Sequence, residues 1–130
     1  MHRRTSLKVI AAMTALSGQA TAAAKPPIQL HVDLDVDPHK EKALLDTFQQ
    51  TFKPAIIRQP GFVDVQLLKM RTALMGAAPT LLGYRLLISF ETEEQRLKWV
   101  ATETHQKVWP QMEANFAGKK LVNVLLFDPK

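Results

Sequence analysis

Ile28, Leu30, Val32, Leu34 and Val36 alternate with Gln29, His31, Asp33, Asp35 and Asp37. A period of two held over this stretch predicts a strand with one apolar face. Asp37 followed by Pro38 has the form of a helix N-cap with proline at the first helical position. Leu44, Leu45, Phe48 and Phe52 then recur on one face of a helix. Pro54 predicts a kink or a restart, and the Pro60-Gly61 pair predicts the turn that ends the helix. Residues 62–70, FVDVQLLKM, read as a second strand and 81–90, LLGYRLLISF, as a third. The connection between them, RTALMGAAPT, is long for a hairpin. Thr92 and Gln95 form a capping box that opens a helix running through Trp99. Thr104 is the expected cap of a further helix, which carries THQKVWPQM at 104–112. GKK at 118–120 is expected to stop it, and LVNVLLFD at 121–128 to make a fourth strand.

The order β-α-β-β-α-β is the ferredoxin-like split motif, an α+β fold in which helices cover one face of a four-stranded antiparallel sheet. The first strand then lies between the third and the fourth. Val63, Val65, Leu67, Leu82, Leu86, Ile88, Val122, Val124 and Leu126 give the strands more apolar surface than one helical layer is expected to cover. An apolar sheet face left bare needs a partner, and a homodimer packed sheet to sheet supplies it.

At 130 residues the chain has room for one domain, and it has no cysteine, so disulfides and thiolate chemistry are excluded. Its first residues alter the charge argument. Arg3, Arg4 and Lys8 form a positive head, Val9 to Leu16 a short apolar stretch, and Ala20 to Ala24 offer small-residue cleavage sites. This is the layout of an export signal over residues 1–24, too short in its core to remain in a membrane. RRTSLK also resembles the twin-arginine pattern, although Ser6 stands where that pattern has phenylalanine. Lys25-Pro26-Pro27 is a stiff spacer, and 28–130 is the folded domain, expected in the periplasm or outside the cell. Without the three basic residues of the head, 14 of the 17 Lys and Arg remain against 12 Asp and Glu, a net charge of +2. So small and scattered an excess argues against a nucleic-acid partner.

The layout, with QPGFVDVQLL after the first helix and WVATETHQKVW in the second helical region, resembles the antibiotic biosynthesis monooxygenase superfamily over residues 28–128. Pro60-Gly61-Phe62, Phe90-Glu91-Thr92 and His105 after a short break carry the likeness. The resemblance implies a dimeric α+β barrel. It also implies a function drawn from cofactor-independent oxygenases of aromatic substrates, haem-degrading enzymes, or members without known activity. The haem-degrading branch has an asparagine, a tryptophan and a histidine at set places. Trp99 matches the tryptophan, but Val32 and Trp109 occupy the other two places, so haem degradation is not carried over.

A cofactor-free oxygenase must hold an electron-rich aromatic in an apolar pocket and take a proton from it, so that the anion can pass an electron to O2. Histidine suits the role of base, because its ordinary pKa lies near neutrality. His105 is the first candidate and His31 the second. Trp99, Trp109 and Tyr84 are the candidate substrate-binding aromatics. Each also has a plainer reading: the tryptophans as core, His105 as an exposed residue at a helix start, Tyr84 as an interface residue. Asp33 and Arg85 are expected to pair as a structural or interface element rather than a catalytic one. No metal site and no cofactor are expected. The leading function is an exported monooxygenase-like enzyme acting on a small aromatic or quinol. The alternatives are a non-catalytic dimeric module that binds a small hydrophobic ligand, and haem or iron handling through His31 and His105.

Overall fold

The alternation that opens the domain becomes strand β1, Ile28–Val36, with Ile28, Val32, Leu34 and Val36 buried on one side. A computed structural model describes residues 25–77 and 80–130. The expected export signal lies outside the described residues. After β1, Asp37 caps a 3-10 turn, Pro38–Lys40, through an Oδ1 that accepts from His39 N–H. Helix α1, Glu41–Thr47, runs into a π-helical turn, Phe48–Phe52, and then into α2, Lys53–Ile56. The expected irregularity at Pro54 takes this form: Lys53 N–H reaches back five residues to Phe48 O, and Pro54 follows with no N–H to donate. Leu44, Phe48 and Phe52 are buried as expected, whereas Leu45 is exposed.

Gly61 makes the turn into β2, Phe62–Lys69, at φ +80°. A side chain there would be strained and would meet the amide of Gln95. Strand β3, Leu82–Phe90, is followed by α3, Glu93–Val100, and α4, Glu103–Glu113. Thr92 caps α3 by accepting from Gln95 N–H at 3.2 Å, as the capping box predicts. The cap of α4 is Thr102 and not Thr104: the true break in the helix lies at Ala101-Thr102, and Thr102 Oγ1 accepts from His105 N–H at 3.1 Å. Strand β4, Phe116–Phe127, begins earlier than expected. Gly118 and Lys119 take positive φ, so the GKK stretch is an irregularity carried within the strand rather than a stop. No helix among the described residues is long and apolar enough to cross a membrane.

The sheet is antiparallel in the order β2-β3-β1-β4, so β1 lies between β3 and β4 as the split motif requires. The registers decide which side chains share a face. Val32 stands opposite Leu86 and Val124, and Leu86 opposite Leu67. Directly opposed residues point the same way, so these lie on the helix side with Leu30, Val65, Ile88 and Leu126. The expected excess of apolar residues on the bare face is therefore corrected. Val65, Leu86 and Ile88 are core; Leu67 and Leu82 pack against it; Val63 and Val122 sit at register shifts. The uncovered face instead carries Gln29, His31, Asp33, Asp64, Gln66, Arg85, Ser89 and Asn123, interspersed with Leu68, Leu87, Leu125 and Phe127.

Candidate functional site

The break between α3 and α4 builds the site. Thr102 Oγ1 donates to Trp99 O at 2.8 Å while accepting from His105 N–H, so one hydroxyl joins the end of one helix to the start of the next. Trp99 and His105 are thereby brought ring to ring, edge-on, with centroids 5.0 Å apart. His105 and Trp109 are four residues apart on α4 and share a face. Their rings lie nearly parallel at 14°, with centroids 6.0 Å apart. Phe52, delivered by the π-helical turn, lies 6.0 Å from each tryptophan. The imidazole therefore stands between two indoles.

These side chains roof an apolar cavity of about 180 Å³ whose floor is Val32, Leu86 and Ile88. Trp99 and Phe52 are fully buried behind it, and Leu121 and Val124 of the edge strand form part of its rim. An engineered apolar cavity of roughly 150 Å³ takes benzene, so this one matches a single substituted ring better than a bicyclic. His105 is half-buried. Burial, and secondarily the positive charge of Arg96, hold its imidazole below the ordinary histidine range. Among the described residues neither ring nitrogen has a hydrogen-bond partner.

Arg96 is the lining residue that the sequence did not point to. Its guanidinium donates from Nε and Nη2 to Glu93 at 2.6 and 2.7 Å, and only 16 % of its side chain is exposed. An arginine three residues after a glutamate reads as an ordinary surface pair on a helix. Trp99 three residues further on was the signal that Arg96 shares its buried side.

Four of the residues expected from the sequence lie elsewhere. Tyr84 is buried on the helix side, but its hydroxyl donates to Glu41 at 2.5 Å and it does not line the cavity. Burial, reinforced by Glu41, raises its pKa, so it is a structural tie and not a titrating group near neutrality. Glu41 is held by Lys69 at 2.7 Å as well. His31 faces the uncovered side of the sheet, its ring edge-on to Phe127 at 4.7 Å and its Nε2 beside Gln29 Oε1 at 3.2 Å. The parity of β1 puts the whole sheet between His31 and the cavity, so His31 cannot reach a ligand held there, and within one chain the two histidines cannot share an iron. Asp33 and Arg85 do pair, by a two-pronged contact of 2.7 and 3.1 Å within one chain, and Asn123 adds a donor at 3.3 Å. The Arg85 guanidinium holds the Asp33 carboxyl below its usual range.

A larger open groove of about 490 Å³ lies at the β2–β3 end of the sheet. Its principal polar groups, Asp33, Arg85, Lys69 and Tyr84, are already engaged with one another or with Glu41. The smaller cavity is lined by His105, neither of whose ring nitrogens is engaged among the described residues, and it is the candidate site.

No protein-family model matches the chain, and no curated protein matches it. Solved structures do. A candidate antibiotic biosynthesis monooxygenase from Bordetella bronchiseptica superposes with a TM-score of 0.67 at 19 % identity, covering 82 % of this chain and 99 % of that one. The fold is that of the antibiotic biosynthesis monooxygenases. A second candidate antibiotic biosynthesis monooxygenase, from Caulobacter crescentus CB15, has a TM-score of 0.66 at 17 % identity, covering 87 % of this chain and 98 % of its own. SnoaB, a cofactor-independent oxygenase from Streptomyces nogalater, has a TM-score of 0.65 at 16 % identity, covering 81 % and 94 %. At such identities the monooxygenase likeness establishes the fold; the chemistry has to be argued from the cavity.

Proposed function

We propose that this protein is an exported monooxygenase-like enzyme that oxidises a small electron-rich phenol or quinol with O2 and without a bound cofactor. The observation that carries the reading is the imidazole of His105, half-buried at the wall of a one-ring apolar cavity and set between Trp99 and Trp109. The likeness of fold to SnoaB supports it. Action outside the cytoplasm is supported by the leader pattern of residues 1–24.

The chemistry follows from what such a wall can do. The indoles hold the ring of the substrate by stacking and exclude water. Neutral imidazole accepts the phenolic proton, and the electron-rich anion passes one electron to O2. The resulting radical and superoxide join at a ring carbon, making a C–O bond. Loss of the ring hydrogen and of one peroxide oxygen as water leaves the quinone. For phenol itself, one phenol and one O2 give one benzoquinone and one water, so the substrate supplies all the electrons.

The test is oxygen uptake by purified protein against a panel of single-ring phenols and quinols. His105→Ala should lower uptake by about 10²–10⁴, the usual contribution of a positioned base. Full activity in that variant would overturn the assignment of His105. No uptake by the wild type across the panel would replace the enzyme with a non-catalytic ligand-binding module.

A further inference from the structure

The cavity wall is apolar except for His105 and Arg96. A guanidinium beside an apolar space is costly unless its donors are used. Glu93 uses Nε and Nη2 and leaves Nη1 without a partner among the described residues. Lys98 and Glu94 form the ordinary solvent-side pair, 3.8 Å apart with both side chains largely exposed. Glu93 grips Arg96 at two points, and the arginine is mostly buried against the cavity. Arginine suits this position in a way lysine does not, because its planar fork can be clamped on one edge and still present a donor on another.

We propose that Arg96 is a specificity-determining residue, whose free Nη1 edge recognises the oxyanion of an aromatic ligand after His105 has taken its proton. The site would then select acidic phenols and enols, bound as their anions, over neutral arenes of the same size. This rests on reading the cavity as a phenol site, but it does not require turnover. The proton moves from the ligand oxygen to the imidazole, and the negative charge left behind meets a cation fixed in place before the ligand arrives. Glu93 sets the strength of that cation by partly neutralising it and sets its position by holding the fork.

The probes are 4-nitrophenol, whose phenolate absorbs in the visible where the phenol does not, and nitrobenzene, which lacks the hydroxyl. They are titrated into the full chain at a pH where free 4-nitrophenol is mostly protonated. Wild type should produce the phenolate band on binding. Arg96→Gln should abolish the band and weaken 4-nitrophenol binding by about tenfold to a hundredfold, the worth of one charge-assisted hydrogen bond, while nitrobenzene binding is unchanged. Arg96→Lys should recover part of the band. Glu93→Gln, which keeps the arginine and removes its counter-charge, should strengthen the band, and it decides the matter if Arg96→Gln proves unstable. A band of undiminished strength in Arg96→Gln overturns the proposal. So does a band no stronger in Glu93→Gln than in wild type, and so does a wild type that binds neither probe or binds both without the band. Phenolate binding without oxygen uptake would leave this inference standing and remove the enzymatic reading. Oxygen uptake by a wild type that gives no phenolate band would do the reverse.

Discussion

In the proposed reaction His105 is the base, and its charge state follows from its surroundings. Burial, and then the field of Arg96, disfavour the imidazolium. A histidine with a depressed pKa remains a base to lower pH than an exposed one. The acid limb of kcat/KM should therefore fall below the ordinary value of about 6.5, and Arg96→Gln should move it up toward that value. The same shift bears on stability. The unfolded chain takes up a proton near pH 6.5 that the folded chain refuses, so the contribution of neutral His105 is full above that pH and declines as the pH falls through it. Measured pH–rate profiles of the two proteins decide the matter; a limb at or above 6.5 in the wild type would sink the assignment. The pairing of His105 with Trp109 was legible from their spacing of four, and Trp99 from its place before the helix break. Arg96 was not legible, because a charged residue on an amphipathic helix reads as solvated until its partner and its depth are known. His31 and Tyr84 were over-read for the converse reason: residue type suggested chemistry, and sheet parity put one on the wrong face and tied the other to Glu41.

Among the elements, α4 holds a proline in its interior. Pro110 lies eight residues after the cap, exposed, and removes the N–H that would otherwise bond to Gln106 O. An interior proline costs a helix about 3 kcal/mol or more. Pro110→Ala should thus raise the melting temperature, read by circular dichroism, by an amount corresponding to about 1–3 kcal/mol. An unchanged or lower value would mean that the fixed backbone of proline is itself needed to seat Trp109. The strands show how far periodicity carries. The alternation in β1 was enough to place its apolar residues on a single face, and that face did prove to be the core. The apolar residues of β2, β3 and β4 are not surplus for the opposite face. Register, not composition, decides which side they share, and the pairings of Val32 and Leu30 draw them to the helices. The early start of β4 was hidden because Gly-Lys-Lys has the chemistry of a turn, and here the turn-like backbone is absorbed as an irregularity between paired residues.

For the molecule as a whole, the corrected face changes the grounds for a homodimer without removing them. The uncovered side of the sheet is mixed rather than apolar. Leu68, Leu125 and Phe127 are each more than two-fifths exposed on it, and His31 Nδ1 is buried there with no hydrogen-bond partner among the described residues. A buried polar atom without a partner is unusual in a finished structure. A second copy packed on this face would cover the leucines and can supply the missing contact. Light scattering at micromolar concentration should give twice the monomer mass, and Leu125→Asp should return the monomer mass with the fold intact by circular dichroism. A wild type that is monomeric at that concentration would leave this face to solvent. The β-α-β-β-α-β order was legible because each element carries its own period or cap; assembly was not, because it depends on which residues share the outer face. The two tryptophans bear a different consequence. The chain has only two, and both flank His105 at the cavity. All of its indole fluorescence therefore originates in one place, so the unlabelled protein carries its own optical reporter of what occupies that space and of the charge on the ring between them.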